Sequence, residues 1–384
     1  MPVNFLELKP QFKKLAEAAL EKELYLGEKL NQCRSLLHQH AEDLPALQKT
    51  VEDAVRQNKG LRCAVPVDEA LTAHLPAALP SPVCTLLAAD GSQINPDPHG
   101  EVLFGLVNVG VFRMQPGSGL APNVLTFSNL LYDQDLETAN GLASEDLVAL
   151  IRDVRERQIL SELAKSETAP LVTLTDGPLE LYHEPRQEKA FDIYFKKYLS
   201  ALDDLALDQV ITAGYVDRPR ADLVVKLLEL LIPADEIVKR PFLGVTDLAL
   251  FSTLLGPGER SAVFKLQSSS ADAFENKKAL HFFYLNVGSV ELPALARVEV
   301  PLWVVEDRPS LALLQSVLVE QSRQAGSKPY PYPLIRAHEI AVVKMDDRQQ
   351  VTEAIELELV AHGRQPAQKS NKQSHKEHTG RRRM

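Results

Sequence analysis

The chain has 384 residues, 45% of them hydrophobic and 24% charged, with a formal net charge of −10, which is the composition of a folded protein of one large or two ordinary domains. That acidic balance excludes a surface basic enough to hold nucleic acid over its whole extent, and no segment approaches the roughly 18 consecutive apolar residues of a membrane span. Three scattered cysteines, Cys33, Cys63 and Cys84, form no CxxC pair and so exclude a disulfide framework and a thiolate zinc site.

Residues from about 4 to 75 read as helical, with Leu15, Leu20, Leu24, Leu30 and Leu36 at uneven intervals too irregular for a long coiled coil. A helical hairpin docked on a sheet or on another subunit, or packed within the chain, suits this region. Pro76, Pro80 and Pro82 end it. A short apolar run then leads to Asp90-Gly91-Ser92, which reads as a buried strand closed by a turn. A further strand follows from Val102 to Phe112, and then a polar loop containing Pro116-Gly-Ser-Gly119. From about Ser144 to Lys165 the spacing of Leu147, Leu150, Ile151, Val154, Ile159 and Leu163 predicts an amphipathic helix that starts at a plausible Ser144 cap. The helix feeds a second strand ending in Asp176-Gly177. Helices over Glu188 to Leu205 and Arg220 to Leu231, strands over Leu280 to Val287 and Ala296 to Val305, and helices over Leu311 to Gln324 and Gln349 to Gly363 complete a mixed α/β pattern. The last 22 residues, from Gly363, carry a formal charge of +6 and almost no apolar residue, the composition of a disordered basic tail.

Several chemistries are excluded. Gly256-Pro-Gly-Glu-Arg260 lacks the spacing and the lysine of a phosphate-binding loop, so an ATP motor is not encoded here. Gly117-Ser-Gly119 lacks the third glycine of a dinucleotide fingerprint, and His338-Glu339 has Val342 where a zincin needs its second histidine. The amino terminus lacks a secretory pattern, and a cytoplasmic protein is expected. What remains is a pair of aspartates, Asp90 and Asp176, each at the end of a buried strand, where open α/β sheets place ligands. They are 86 positions apart, so a local Ca²⁺ loop does not explain them, and oxygen ligands of this kind suit Mg²⁺ or Mn²⁺. Helix capping and turn formation are the simpler uses of Asp-Gly. His338 follows Lys328-Pro-Tyr330-Pro-Tyr332-Pro, a stretch expected to run extended and to aim one imidazole into a cleft.

Six motifs in order give these residues a context: Ala88-Ala-Asp90-Gly-Ser92, Leu174-Thr-Asp176-Gly-Pro-Leu179, Ala213-Gly-Tyr215-Val-Asp217-Arg-Pro219, Thr246-Asp247 with Glu259-Arg260-Ser261, Ala296-Arg297-Val298-Glu299-Val-Pro301, and Pro331-Tyr-Pro-Leu with Ala337-His338. In this the chain resembles the NurA nuclease family over residues 80–362. The likeness leaves an N-terminal helical region, 1–79, and the basic tail, 363–384, uncovered. The resemblance implies a ribonuclease H-like mixed sheet flanked by helices, and DNA cleavage with Mn²⁺ or Mg²⁺ by a homodimer. It implies a 5′-to-3′ exonuclease with single-strand endonuclease activity that processes DNA ends with a HerA-type hexameric ATPase. Carried over by position, it assigns Asp90 and Asp176 as metal ligands together with a glutamate on the preceding helix, Glu156 or, one to two turns later, Glu162. His338 then assists by proton transfer or phosphate contact. The upstream tyrosine is Tyr330 or Tyr332, the eight-residue spacing to His338 favouring Tyr330. A catalytically silent adaptor or DNA clamp for a translocase is the other function such a chain can have, and the retained carboxylates count against it.

The charge of the tail has a direct consequence. Deleting residues 364–384 is expected to weaken DNA binding and flatten its dependence on salt while leaving the melting temperature unchanged. Binding titrations at a series of salt concentrations measure this, and an unchanged slope would remove the tail from the phosphate contacts.

Overall fold

A computed structural model describes residues 3–98, 102–138, 141–142, 145–181, 189–232 and 240–363. The basic tail beyond Gly363 lies outside the described residues. From the amino end come helices α1 (Phe5–Gln39) and α2 (Leu44–Gln57), then short strands β1 (Cys63–Pro66) and β2 (His74–Pro76). The uneven leucines of α1 have a plain outcome: its buried residues are Cys33 and Leu37, near its end, while Leu6, Leu15, Leu20 and Leu24 are exposed. The helical reading of residues 4–75 therefore holds only to Gln57. Beyond it Cys63-Ala-Val-Pro66 runs too briefly for a periodicity to show, and tertiary pairing with a distant strand decides its conformation.

Next are β3 (Thr85–Ile94), β4 (Gly105–Met114) and β5 (Asn123–Leu131), an antiparallel meander, and the small ladder β6 (Glu137–Thr138) with β7 (Gly141–Leu142). Helix α3 (Glu145–Ala164) crosses back to β8 (Leu171–Asp176), which lies parallel to β3, and α4 (Lys189–Leu207) leads to β9 (Ile211–Asp217), parallel to β8. Three antiparallel strands followed by two parallel ones through helical crossovers, in the spatial order β5-β4-β3-β8-β9, form the ribonuclease H-like core.

The chain continues through α5 (Leu223–Glu229), α6 (Asp247–Phe251), β10 (Glu259–Ser261), β11 (Phe264–Gln267), β12 (Leu280–Asn286) and β13 (Leu295–Pro301). These strands extend the same sheet past β9 in the order β13-β12-β11-β1, all antiparallel, while β10 joins β12 to β2. The expected strand to Val305 stops at Pro301, where helix α7 (Leu302–Glu306) begins. Helices α8 (Arg308–Arg323), α9 (Tyr332–Ala341) and α10 (Met345–Ala361) finish the described chain.

Alternation along β3 sorts the helices into two layers. Leu87 and Ala89 face a core shared with Val107, Val109 and Val111 of β4 and with α3, α4 and α5. Leu86 and Ala88 face the opposite core, with Val172, Leu174, Ile211 and Ala213, under α8 and α9. The period of two in strand side chains is what allows one strand to serve both.

The N-terminal segment is tied to the sheet electrostatically as well as by β1. Glu69 accepts both Nη1 and Nη2 of Arg260 at 2.8 Å and the Val263 amide at 2.9 Å, with Arg308 Nη1 at 3.2 Å. Burial alone raises its carboxyl, yet the Arg260 hydrogen bonds and charge hold it below the usual carboxylate range. Arg260 itself is buried. Glu69→Ala, which strands that guanidinium, is expected to cost on the order of 3 kcal/mol in urea unfolding, and Glu69→Gln less. A loss under ~1 kcal/mol would show that the pair is dispensable.

Candidate active site

The site is assembled where β3 and β8 end side by side. Ala89 of β3 is in register with Thr175 of β8, so Asp90 and Asp176 are neighbours, and both fall on the even-numbered face that looks toward α9. Neither carboxylate is sealed off. Asp90 retains 15% exposure of its side chain, and Asp176 is the first exposed residue of β8.

His338 reaches this face from α9. The expected extended run stops at Pro331, and from Tyr332 on the stretch is helical. Pro331 caps the helix and Pro333 sits in its first turn, where a missing N–H leaves no hydrogen bond unmade, so the prolines start a helix. His338 Nδ1 donates to Asp90 Oδ2 at 2.7 Å. That bond uses Nδ1 and leaves Nε2 available, on a ring that is 65% exposed. The other oxygen of Asp90 accepts the Gly91 amide at 2.9 Å. Tyr330 donates its hydroxyl to Asp176, and its ring packs edge-on against Tyr215, centroids 5.2 Å apart. Tyr332 instead packs against Phe112, away from the carboxylates.

Glu156 enters from the other layer. It is buried on α3, and β3 admits it only because residue 91 is glycine: a Cβ there would lie 2.6 Å from Glu156 Oε1 and 2.5 Å from Arg152 Cγ. Glu162, further along the same helix, is exposed and pairs with Arg155. Asp90, Asp176, Glu156 and His338 thus line one cleft of about 530 Å³, together with Arg152, Asp153, Arg157, Thr175, Glu180 and Tyr198. The sequence reading gave these additional residues no role. An i,i+4 signal was present for two pairs, Arg152 with Glu156 and Asp153 with Arg157, charges of opposite sign one turn apart. Arg152 Nε stands 3.6 Å from Glu156 Oε1, and the wholly buried Arg157 donates from Nη2 to Thr175 Oγ1 at 2.6 Å. At the cleft floor Glu180 accepts Arg62 Nη1 at 2.8 Å and Ser268 Oγ at 2.5 Å.

The carboxylates repel. Burial pushes Glu156 well above the ordinary carboxylate range, Asp153 and Asp90 add to the rise, and Arg152 and Arg157 oppose it. Burial also raises Asp176; the Tyr330 hydrogen bond lowers it, the charge of Asp90 raises it, and His338 and the Gly177 amide lower it. Hard oxygen donors held together against their own charge fit Mg²⁺ or Mn²⁺. Among the described residues no three His, Cys, Asp or Glu side chains are grouped closely enough to hold a metal ion between them. Mg²⁺ characteristically takes one or two carboxylates and completes its sphere with water and substrate phosphate, so an open set of this kind suits it.

The class of fold is an RNase H-like sheet with acidic groups clustered at its strand ends. The NurA domain model matches residues 84–343, and the chain belongs to the NurA family. The NurA nuclease from Sulfolobus solfataricus has the same fold at 13% identity, with a TM-score of 0.51 over 86% of this chain and 96% of that one. The catalytic domain of human endonuclease V aligns over 82% of this chain and 98% of its own at 13% identity and a TM-score of 0.34. Drosophila Piwi aligns over 68% and 30% at 11% identity and 0.31. No curated protein matches the sequence. Among the described residues no helix is long and apolar enough to cross a membrane.

The raised carboxyls make stability depend on pH in a defined direction. The folded state holds these protons more tightly than the unfolded chain does. Their stabilising contribution is therefore complete below the ordinary carboxylate pKa of about 4 and is lost as pH rises through the folded values. In EDTA, Glu156→Gln is expected to melt higher than wild type at pH 8 and no higher at pH 4. Mn²⁺ should stabilise wild type more than the variant. Calorimetry at the two pH values, with and without Mn²⁺, measures this; an identical pH dependence in both proteins would contradict it.

Proposed function

We propose that this chain is a divalent-metal-dependent DNA nuclease, a 5′-to-3′ exonuclease with single-strand endonuclease activity. We further propose that it acts as a homodimer with a HerA-type hexameric ATPase in DNA end processing. The observation that carries the catalytic part is the junction of Asp90, Asp176 and His338 on one face at the ends of two parallel strands. Asp90, Asp176 and Glu156 would hold Mn²⁺ or Mg²⁺, which supplies activation of water and stabilisation of the departing 3′ oxygen. Asp90 orients the imidazole through Nδ1 and leaves Nε2 available to move a proton or bind a phosphate oxygen. Tyr330 pins Asp176. Burial and the neighbouring Asp176 drive its phenol upward from the ordinary value, so it remains a donor at neutral pH. The family match supports DNA as substrate. No phosphate loop is present in the sequence, which is why strand feeding is assigned to a separate motor.

Cleavage of single-stranded DNA should require Mn²⁺ or Mg²⁺ and stop in excess EDTA. His338→Ala should slow it by on the order of 10²-fold, without the stability loss of a core truncation, because the ring is largely exposed. DNA binding without cleavage under any divalent ion would favour the adaptor instead. Light scattering with and without the ATPase tests the assembly.

A further inference from the structure

His338 is mostly solvent-exposed, so its position depends on the helix that bears it and on the bond to Asp90. The carbonyl of Ala341, three residues on and the last of α9, is one of the acceptors a helix end leaves without a backbone donor. It receives two side chains from the sheet, Ser92 Oγ at 2.5 Å and Asn108 Nδ2 at 2.7 Å. Ser92 Oγ also accepts the Val343 amide at 3.1 Å, just past the helix. Ser128 of β5 donates to Asn108 Oδ1 at 2.7 Å, which orients the buried amide with its NH₂ toward α9.

These residues are contiguous in the ladder. Ser92 faces Asn108 across β3 and β4, and the adjacent pair on the same face is Asp90 with Gly110. A Cβ on Gly110 would lie 2.6 Å from the Ala341 nitrogen and 2.7 Å from the Ala337 carbonyl oxygen, so the backbone of α9 rests directly on that strand position. Two successive cross-strand pairs therefore divide the work: Asp90 holds the imidazole, Gly110 gives the helix room, and Ser92 with Asn108 ties its end.

We propose that Ser92, Asn108 and Gly110 are positioning residues for His338, forming an anchor that sets the imidazole against Asp90 for cleavage. This rests on the catalytic reading of His338 given above. Ser92→Ala and Asn108→Ala are each expected to lower kcat by roughly tenfold, the scale of a small misplacement of a reacting group. KM for a single-stranded oligonucleotide should change little, and Ser92→Thr, which keeps the hydroxyl, should restore most of the rate. In a His338→Ala background the same substitutions should have no further effect. Loss of the same factor in both backgrounds, or wild-type kcat in the folded fraction of both variants, would overturn the proposal.

A readout independent of cleavage keeps the anchor and the catalytic reading separable. With selectively ¹⁵N-histidine-labelled protein, the His338 Nδ1–H resonance should move or broaden in Ser92→Ala and Asn108→Ala. If it stays fixed, the anchor does not set the imidazole, whatever the kinetics. If it moves while His338→Ala cleaves normally, the anchor stands and the role assigned to His338 falls. Should Asn108→Ala fail to fold, Ser92→Ala, at a half-buried position, carries both measurements.

Discussion

Everything at the site follows from one pairing, the parallel register of β3 and β8. It sets two carboxylates side by side on one face of the sheet, at the point where the strands stop and the interior gives way to solvent. In the middle of the sheet two such charges would have to be neutralised by protons or by paired arginines, at a cost the fold has no reason to bear. At the strand ends they remain accessible to water and to a cation. The remaining groups answer to that charge: Tyr330 donates to one carboxylate, His338 to the other, and Arg152 and Arg157 stand beside the third.

The sheet explains why helices from both layers can contribute. Asp90, Ser92 and the facing Asn108 and Gly110 look toward α9, whereas Gly91 looks toward α3. A three-residue stretch of β3 therefore has a chemical task on one face and a steric one on the other. The short motif Asp90-Gly91-Ser92 compresses all of this: a charged ligand candidate, a gap for Glu156, and a tie for the helix that carries the histidine. None of the three functions can be moved one position along the strand without exchanging faces.

Much of this was legible in the sequence. The two strand-end aspartates stand out because apolar runs ending in Asp-Gly are short, local signals. The apolar spacing from Leu147 to Leu163 marks α3, and largely apolar runs mark β12 and β13, which are buried along their whole length. The preference for Glu156 and Tyr330 came from the family resemblance; in the structure Glu156 is buried on α3 and lines the cleft, and Tyr330 donates to Asp176. What could not be read depends on distant partners. Residues 63–66 are a strand only because β11 pairs with them, two hundred residues later. The Pro-Tyr stretch looked extended because proline disfavours a helix interior, but the same residue is at home in a first turn, and the sequence alone does not say which position it takes. Arg157 gave no signal of burial, since its environment is built by β8 and α4 as well as its own helix.

The bond between His338 and Asp90 spans 248 positions of chain. During synthesis Asp90 and Asp176 emerge long before residue 338, so a growing chain holds the acidic groups without their imidazole. Completion of the site is thereby deferred until nearly the whole domain has been made. Under the proposed chemistry, a chain that stops before α9 would lack the group that moves the proton.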